Sequence, residues 1–178
     1  MNDEKLIFRP VIEALFVRGL SDRMTPAFRA RLKNLGIDLD KLLPGYPYAA
    51  WEQAVQSTAT LFPEMESTDA LAESGRRMVV ATIQDNPVGK HLLPLLKLLG
   101  TGRALRRAYS RTTEGNFNTI TFGTETPRSL EIHMSFVGQI PEFARGSIVG
   151  LGEMLGATLR PHTTSYEAPR VTYRVEWD

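Results

Sequence analysis

Cysteine is absent from this chain of 178 residues. That excludes disulfides, thiolate metal sites and thiol nucleophiles. Histidine is scarce: His91, His133 and His162 are the three present. Neither sign of charge dominates, since 21 Lys and Arg stand against 20 Asp and Glu, so no global field draws the chain to nucleic acid or an anionic surface. Long apolar runs are missing too. The longest cluster, His91–Leu99, is broken by Pro94 and Lys97 and is far too short to span a bilayer. The opening MNDEKLIFRP is charged and lacks the apolar run of a signal peptide. Gly100-Thr101-Gly102 is too short for a phosphate loop, and Ser147 lacks the Gly-x-Ser-x-Gly frame of a nucleophile elbow. Glu142, Glu153 and Asp85 show no paired-carboxylate spacing. These absences imply a soluble, cytoplasmic protein with no nucleic-acid partner and no membrane span, and they name no reaction, so an enzyme is not expected.

What is present is a change of periodicity near residue 115. From about Pro10 to Arg111 apolar residues recur at three and four positions; from Phe117 to Trp177 they recur at two. The expected fold is α+β in one domain spanning 1–178. A helical half over 10–112, with about five or six helices, precedes a ββαββ half over 116–178 that makes a four-stranded antiparallel sheet. A chain of this length buries roughly 70% of its extended surface, enough for a core without staples.

Helix punctuation is clear. Pro10 suits a first turn, and that helix runs to Gly19. Thr25-Pro26 reads as an N-cap with Pro in the first turn, and Gly36 as the left-handed stop. A third helix is expected over 48–61, with Trp51, Val55 and Thr58 on one stripe, and a fourth from Ser67–Asp69 to Ile83. After Asn86-Pro87 comes a Leu-rich element, apolar nearly all round and therefore expected to be buried, which Pro94 should kink or split. Strands are expected near 117–123, 129–137, 157–164 and 170–177, and a helix near 142–155. The alternations predict a core containing Phe16, Trp51, Leu92, Leu95, Leu96, Leu130, Ile132, Met134, Phe136, Val171, Tyr173 and Val175.

Several stretches resemble a paralogous family of uncharacterised myxobacterial proteins, a domain of unknown function. The matching residues are Glu13-Ala14-Leu15-Phe16-Val17-Arg18-Gly19-Leu20, Gly36-Ile37-Asp38-Leu39-Asp40, Leu43-Pro44-Gly45-Tyr46-Pro47 and Trp51. Gly89, Leu93, Leu95-Leu96-Lys97-Leu98-Leu99-Gly100, Arg103-Ala104-Leu105, Asn116 and Tyr173-Arg174-Val175-Glu176-Trp177 continue the match over nearly the full length. That family implies no known activity. At the level of fold, helices followed by ββαββ also resemble haem–nitric oxide binding sensors, four-vinyl-reductase-type ligand-sensing domains and small subunits of vesicle-tethering complexes.

Three groups of residues are candidates for function. His91 shares a helical stripe with Val88, Leu95 and Leu98; an imidazole in an apolar pocket could ligate haem, or it could be a core histidine with one backbone partner. The haem sensors place a Tyr-x-Ser-x-Arg after their proximal histidine, and this chain has Tyr109-Ser110-Arg111, with different spacing. If there is an internal pocket, His91, Tyr109 and Arg111 are expected at its wall, with a small apolar ligand or haem inside. Arg103, Arg106, Arg107 and Arg111 fall on one helical face, suited to an acidic group or a solvated surface salted by Glu114. Gly146 and Gly150 lie four apart, so each leaves room on one face for another backbone, supplied by the protein's own sheet or by a second subunit. The expected function is a non-enzymatic regulatory or small-ligand-binding, sensor-like module. The alternative is a protein–protein interaction or adaptor module acting as a homodimer.

Overall fold

The computed structural model describes residues 5–85, 87–112, 119–135 and 140–178, with the backbone alone at 85, 87–90, 111 and 112. The chain opens with a three-residue strand β1 (Leu6–Phe8), which pairs antiparallel with β2 (Gly45–Pro47). This small sheet corrects the all-helical expectation for the first half. Strands of three residues are too short to display a period of two, and the Pro-Gly-Tyr-Pro string reads as a turn until a partner arrives. Helix α1 (Arg9–Ile12) widens into a π-helical stretch, Glu13–Gly19, closed by Leu20 N–H donating to the Leu15 carbonyl at 2.9 Å. Glycine at position 19 lets a neighbouring helix pass close: a Cβ there would sit 3.1 Å from the Arg77 carbonyl oxygen.

Helix α2 (Pro26–Asn34) starts as its sequence dictates. The Thr25 hydroxyl accepts from Phe28 N–H at 3.1 Å, and Pro26 fills the first turn. It ends at Gly36, whose φ of 86° is the left-handed value a Cβ disfavours, with Ile37 N–H returning to the Leu32 carbonyl. Helix α3 (Tyr48–Ser57) tightens into a 3₁₀ turn over Thr58–Leu61, and Trp51, Val55 and Thr58 are all buried. Helix α4 (Ser67–Asp85) is followed by α5 (Pro87–Leu98) and α6 (Thr101–Thr112).

The second half is β3 (Ile120–Thr126), β4 (Ser129–Met134), α7 (Pro141–Leu155), β5 (Arg160–Glu167) and β6 (Arg170–Glu176), and the antiparallel sheet has the order β3-β4-β6-β5. Two strands sit about three residues later than the periodicity predicts. β3 continues across the expected loop because a bulge between Phe122 and Glu125 absorbs the mismatch. β5 starts late because Gly156, at φ 76°, closes α7 and Ala157 N–H folds back to the Gly152 carbonyl.

Two cores result. The first gathers Ile12, Leu15, Phe16, Phe28, Leu32, Ile37, Trp51 and Phe62, with Trp51 edge-on to both Phe16 and Phe143, ring centres 6.0 and 5.7 Å apart. The second lies under the sheet and holds Leu105, Tyr109, Leu130, Ile132, Met134, Ile148, Leu151, Val171, Tyr173 and Val175. Helix α7 serves both, through Phe143 at one end and Leu155 at the other. The buried Tyr173 hydroxyl ties β6 to that helix by donating to the Pro141 carbonyl at 2.6 Å. Of the expected core, Leu92 and Leu96 are half-buried, Leu95 is exposed, and Phe136 lies outside the described residues.

Candidate functional site

Helix α5 is not a buried rod. His91 is exposed, and Leu95, Leu98 and Leu99 are 60%, 83% and 43% exposed. Among the described residues of α5, the opposite stripe, Leu93 and Leu96, packs on the second core. The expectation of burial therefore fails, because a helix apolar on every side has no preferred direction and its neighbours choose one. Pro94 does not split it either: α5 continues through that residue, which is exposed. At the surface, water can satisfy the carbonyl that a proline leaves unbonded.

Gly100, at φ 78°, turns the chain into α6. Ala104, Leu105 and Tyr109 face inward, and burial pushes the pKa of the Tyr109 phenol up. The four-arginine face divides. Arg106 reaches Glu125 on β3 at 2.8 Å and lies 4.8 Å over the Phe122 ring, whereas Arg103 and Arg107 are exposed. The Arg111 side chain lies outside the described residues, as does Glu114, the expected salting partner. His91 and Tyr109 are thus not brought to one pocket wall: the first faces solvent and the second lies under the sheet.

Gly146 and Gly150 accept neither the sheet nor a second subunit. Their neighbour is α4. A Cβ at Gly146 would fall 1.8 Å from the Ala72 carbonyl oxygen, and one at Gly150 would fall 2.6 Å from that of Arg76. The reciprocal glycine is Gly75, where a Cβ would fall 2.0 Å from the Phe143 carbonyl oxygen. The helices meet backbone to backbone, and a lone glycine in the middle of α4 was the available signal for it, since an interior glycine costs about 1 kcal/mol without such a use. Arginines tie α4 to its neighbours. Arg76 spans Glu73 at 2.7 Å and Glu153 at 2.5 Å, and Arg77 joins Glu73 and Asp22, each at 2.7 Å. Burial disfavours the Glu73 carboxylate, but hydrogen bonds from Arg76 and Arg77 outweigh it and hold the pKa below the ordinary value. Arg23 and Arg77 both lie over the buried Phe62 ring, at 5.0 and 5.4 Å.

On the outer face of the sheet, His133 Nδ1 lies 3.0 Å from the Thr172 hydroxyl, and Glu131 accepts from Thr124 N–H at 3.3 Å. Thr119, Thr121, His133, Arg170 and Thr172 line an open cleft there. His162 is exposed on β5. Among the described residues no three His, Asp or Glu side chains are placed to hold a metal ion, and no helix is long and apolar enough to cross a membrane.

The family is decided by sequence. The model for a protein of unknown function (DUF2378) matches residues 5–178. The chain belongs to the DUF2378 family. No functionally curated protein matches it significantly. Solved structures do match the DUF2378 chain over its length. An H-NOX protein from S. oneidensis, a triple variant in the Fe(II) ligation state, is 10% identical with a TM-score of 0.70, covering 97% of this chain and 96% of that one. An Fe(II) unliganded H-NOX variant from K. algicida is 12% identical at 0.64, covering 97% of each chain. An oxygen-binding H-NOX domain related to soluble guanylate cyclases is 13% identical at 0.61, covering 95% and 92%. At these identities the likeness is one of fold.

Haem, which that fold brings to mind, does not fit at His91 in the DUF2378 chain. A haem site needs an imidazole facing a slot lined by apolar side chains. Here the stripe that carries His91 faces water with Leu95 and Leu98, and the seam between α4 and α7 is closed at van der Waals contact.

Proposed function

We propose that this chain is a non-enzymatic regulatory module with a sensor-type fold that acts through protein contact, using the outer surface of α5. The observation that carries the reading is the outward stripe of His91, Leu95 and Leu98 on a scaffold with two apolar cores. The H-NOX-like fold supports a sensor-like role. That exposed stripe favours an adaptor over a module that encloses a small apolar ligand at His91. Exposed leucines at helical spacing are the usual mark of a contact surface rather than of a solvated helix. A cytoplasmic setting agrees with the thiol-free composition.

Titrating haem into the purified protein tests the reading against the haem-sensor alternative. The expected result is no Soret band that depends on His91. A stoichiometric Soret band in the wild type that disappears in His91→Ala overturns it.

A further inference from the structure

From Pro87 to Thr112 the chain has no Asp or Glu, while Lys90, Lys97, Arg103, Arg106, Arg107 and Arg111 all carry positive charge. The whole protein is nearly neutral, so this local excess is a property of α5 and α6. The structure gives it a shape. His91, Leu95 and Leu98 follow one another at helical spacing and form an outward ridge roughly 10 Å long. Leu99 extends it to the Gly100 turn, and one turn into α6 stands Arg103, with Arg107 a further turn on, both exposed. Neither pairs with an acidic side chain among the described residues. The direction of the two cations is set, because Leu105 and Tyr109 anchor the other face of α6 under the sheet and Arg106 is held by Glu125.

We propose that the α5–α6 surface docks an acidic amphipathic helix of a partner protein. This rests on the protein-contact reading above and names the partner's chemistry. Leucines at i and i+3 or i+4 on the partner fill the grooves beside the α5 ridge, and a flank of Asp or Glu meets Arg103 and Arg107. A second copy of this chain fits poorly, since two acid-free surfaces would repel one another. An anionic membrane fits less well than a helix, because no exposed aromatic ring stands on this surface among the described residues, and headgroup interfaces engage Trp and Tyr along with leucine.

The test is a selection on the immobilised full-length chain from a displayed library of helical peptides about 18 residues long, randomised at every outward position. Enriched peptides should combine leucine at three- and four-residue spacing with Asp or Glu along one flank. Leu98→Glu, a change at a solvent-exposed position, should leave the melting curve intact and cut capture roughly tenfold or more. The double change Arg103→Glu and Arg107→Glu should turn the selection toward peptides flanked by Lys and Arg. Enrichment that depends on Leu98 but shows no charge preference removes the acidic partner and leaves the protein-contact reading standing. No enrichment over a blank surface, or enrichment indifferent to Leu98, overturns both. Leu98-dependent sedimentation with phosphatidylcholine vesicles holding about a quarter phosphatidylserine overturns both in favour of a membrane. Self-association that Leu98→Glu abolishes overturns the proposal in favour of a second copy.

Discussion

Replacing Gly146 by alanine puts the packing of α4 on α7 to a direct test. The new methyl carbon would start 1.8 Å from the Ala72 carbonyl oxygen, 2.5 Å from its carbonyl carbon and 2.7 Å from its Cα. All three are backbone, so no rotamer change relieves the clash. To reach ordinary van der Waals separation the helices must part by roughly 1.5 Å or more. Helix α4 also buries Ala70 in the first core and packs Val79 and Ile83 against the second, and both contacts would be strained. Overpacking typically costs about 1–3 kcal/mol, and more where nothing can yield, whereas alanine gains about 1 kcal/mol over glycine in a helix interior. With three backbone atoms in the way the cost is expected to be about 3 kcal/mol or more, so the net loss is about 2 kcal/mol or more, which for a chain of this size lowers the midpoint of a calorimetric melt by roughly 4–8 °C. A graded series sharpens the test. Gly75→Ala should behave like Gly146→Ala, and Gly150→Ala should cost less, at 2.6 Å from a backbone oxygen. A Gly146→Ala variant as stable as the wild type, or more so, would refute backbone contact between these helices.

Two further outcomes concern single groups and pH. Tyr173→Phe removes the bond to the Pro141 carbonyl, so chemical denaturation should show a loss of about 1 kcal/mol; an unchanged midpoint would mean that the bond adds no net stability. Stability should fall on both sides of neutrality. The depressed carboxylates of Glu73 and Asp22 contribute stability that is complete above the ordinary carboxylate pKa and lost as pH falls through their lowered folded values. The raised phenols of Tyr109 and Tyr173 keep their protons in the fold, so their contribution is complete below about 10, the ordinary phenol value, and lost as pH rises above it. Melting curves across pH should show the acid limb shrink in Glu73→Gln, and an unaltered limb would remove Glu73 from the explanation.

Much of the fold was legible in the sequence because its signals are local. Thr25-Pro26 and Gly36 bound α2 through capping geometry that needs only neighbours in the chain. The alternation of Leu130, Ile132 and Met134, and of Val171, Tyr173 and Val175, specifies strands with one buried face, since a period of two leaves no other arrangement of apolar side chains. Other features depended on what stands opposite. β1 and β2 exist only as a pair, each too short to carry a pattern. Gly146 and Gly150 announced close approach from their spacing, but spacing cannot name the neighbour, and α4 came to that face because Gly75 offers it a matching gap. The four arginines of α6 share a face in projection, yet only the position of β3 separates Arg106, which Glu125 holds, from Arg103 and Arg107, which water receives. Helix α5 is the sharpest case. Its composition allowed any orientation, and the second core took Leu93 and Leu96, so tertiary packing alone turned His91, Leu95 and Leu98 outward on a segment that reads as buried.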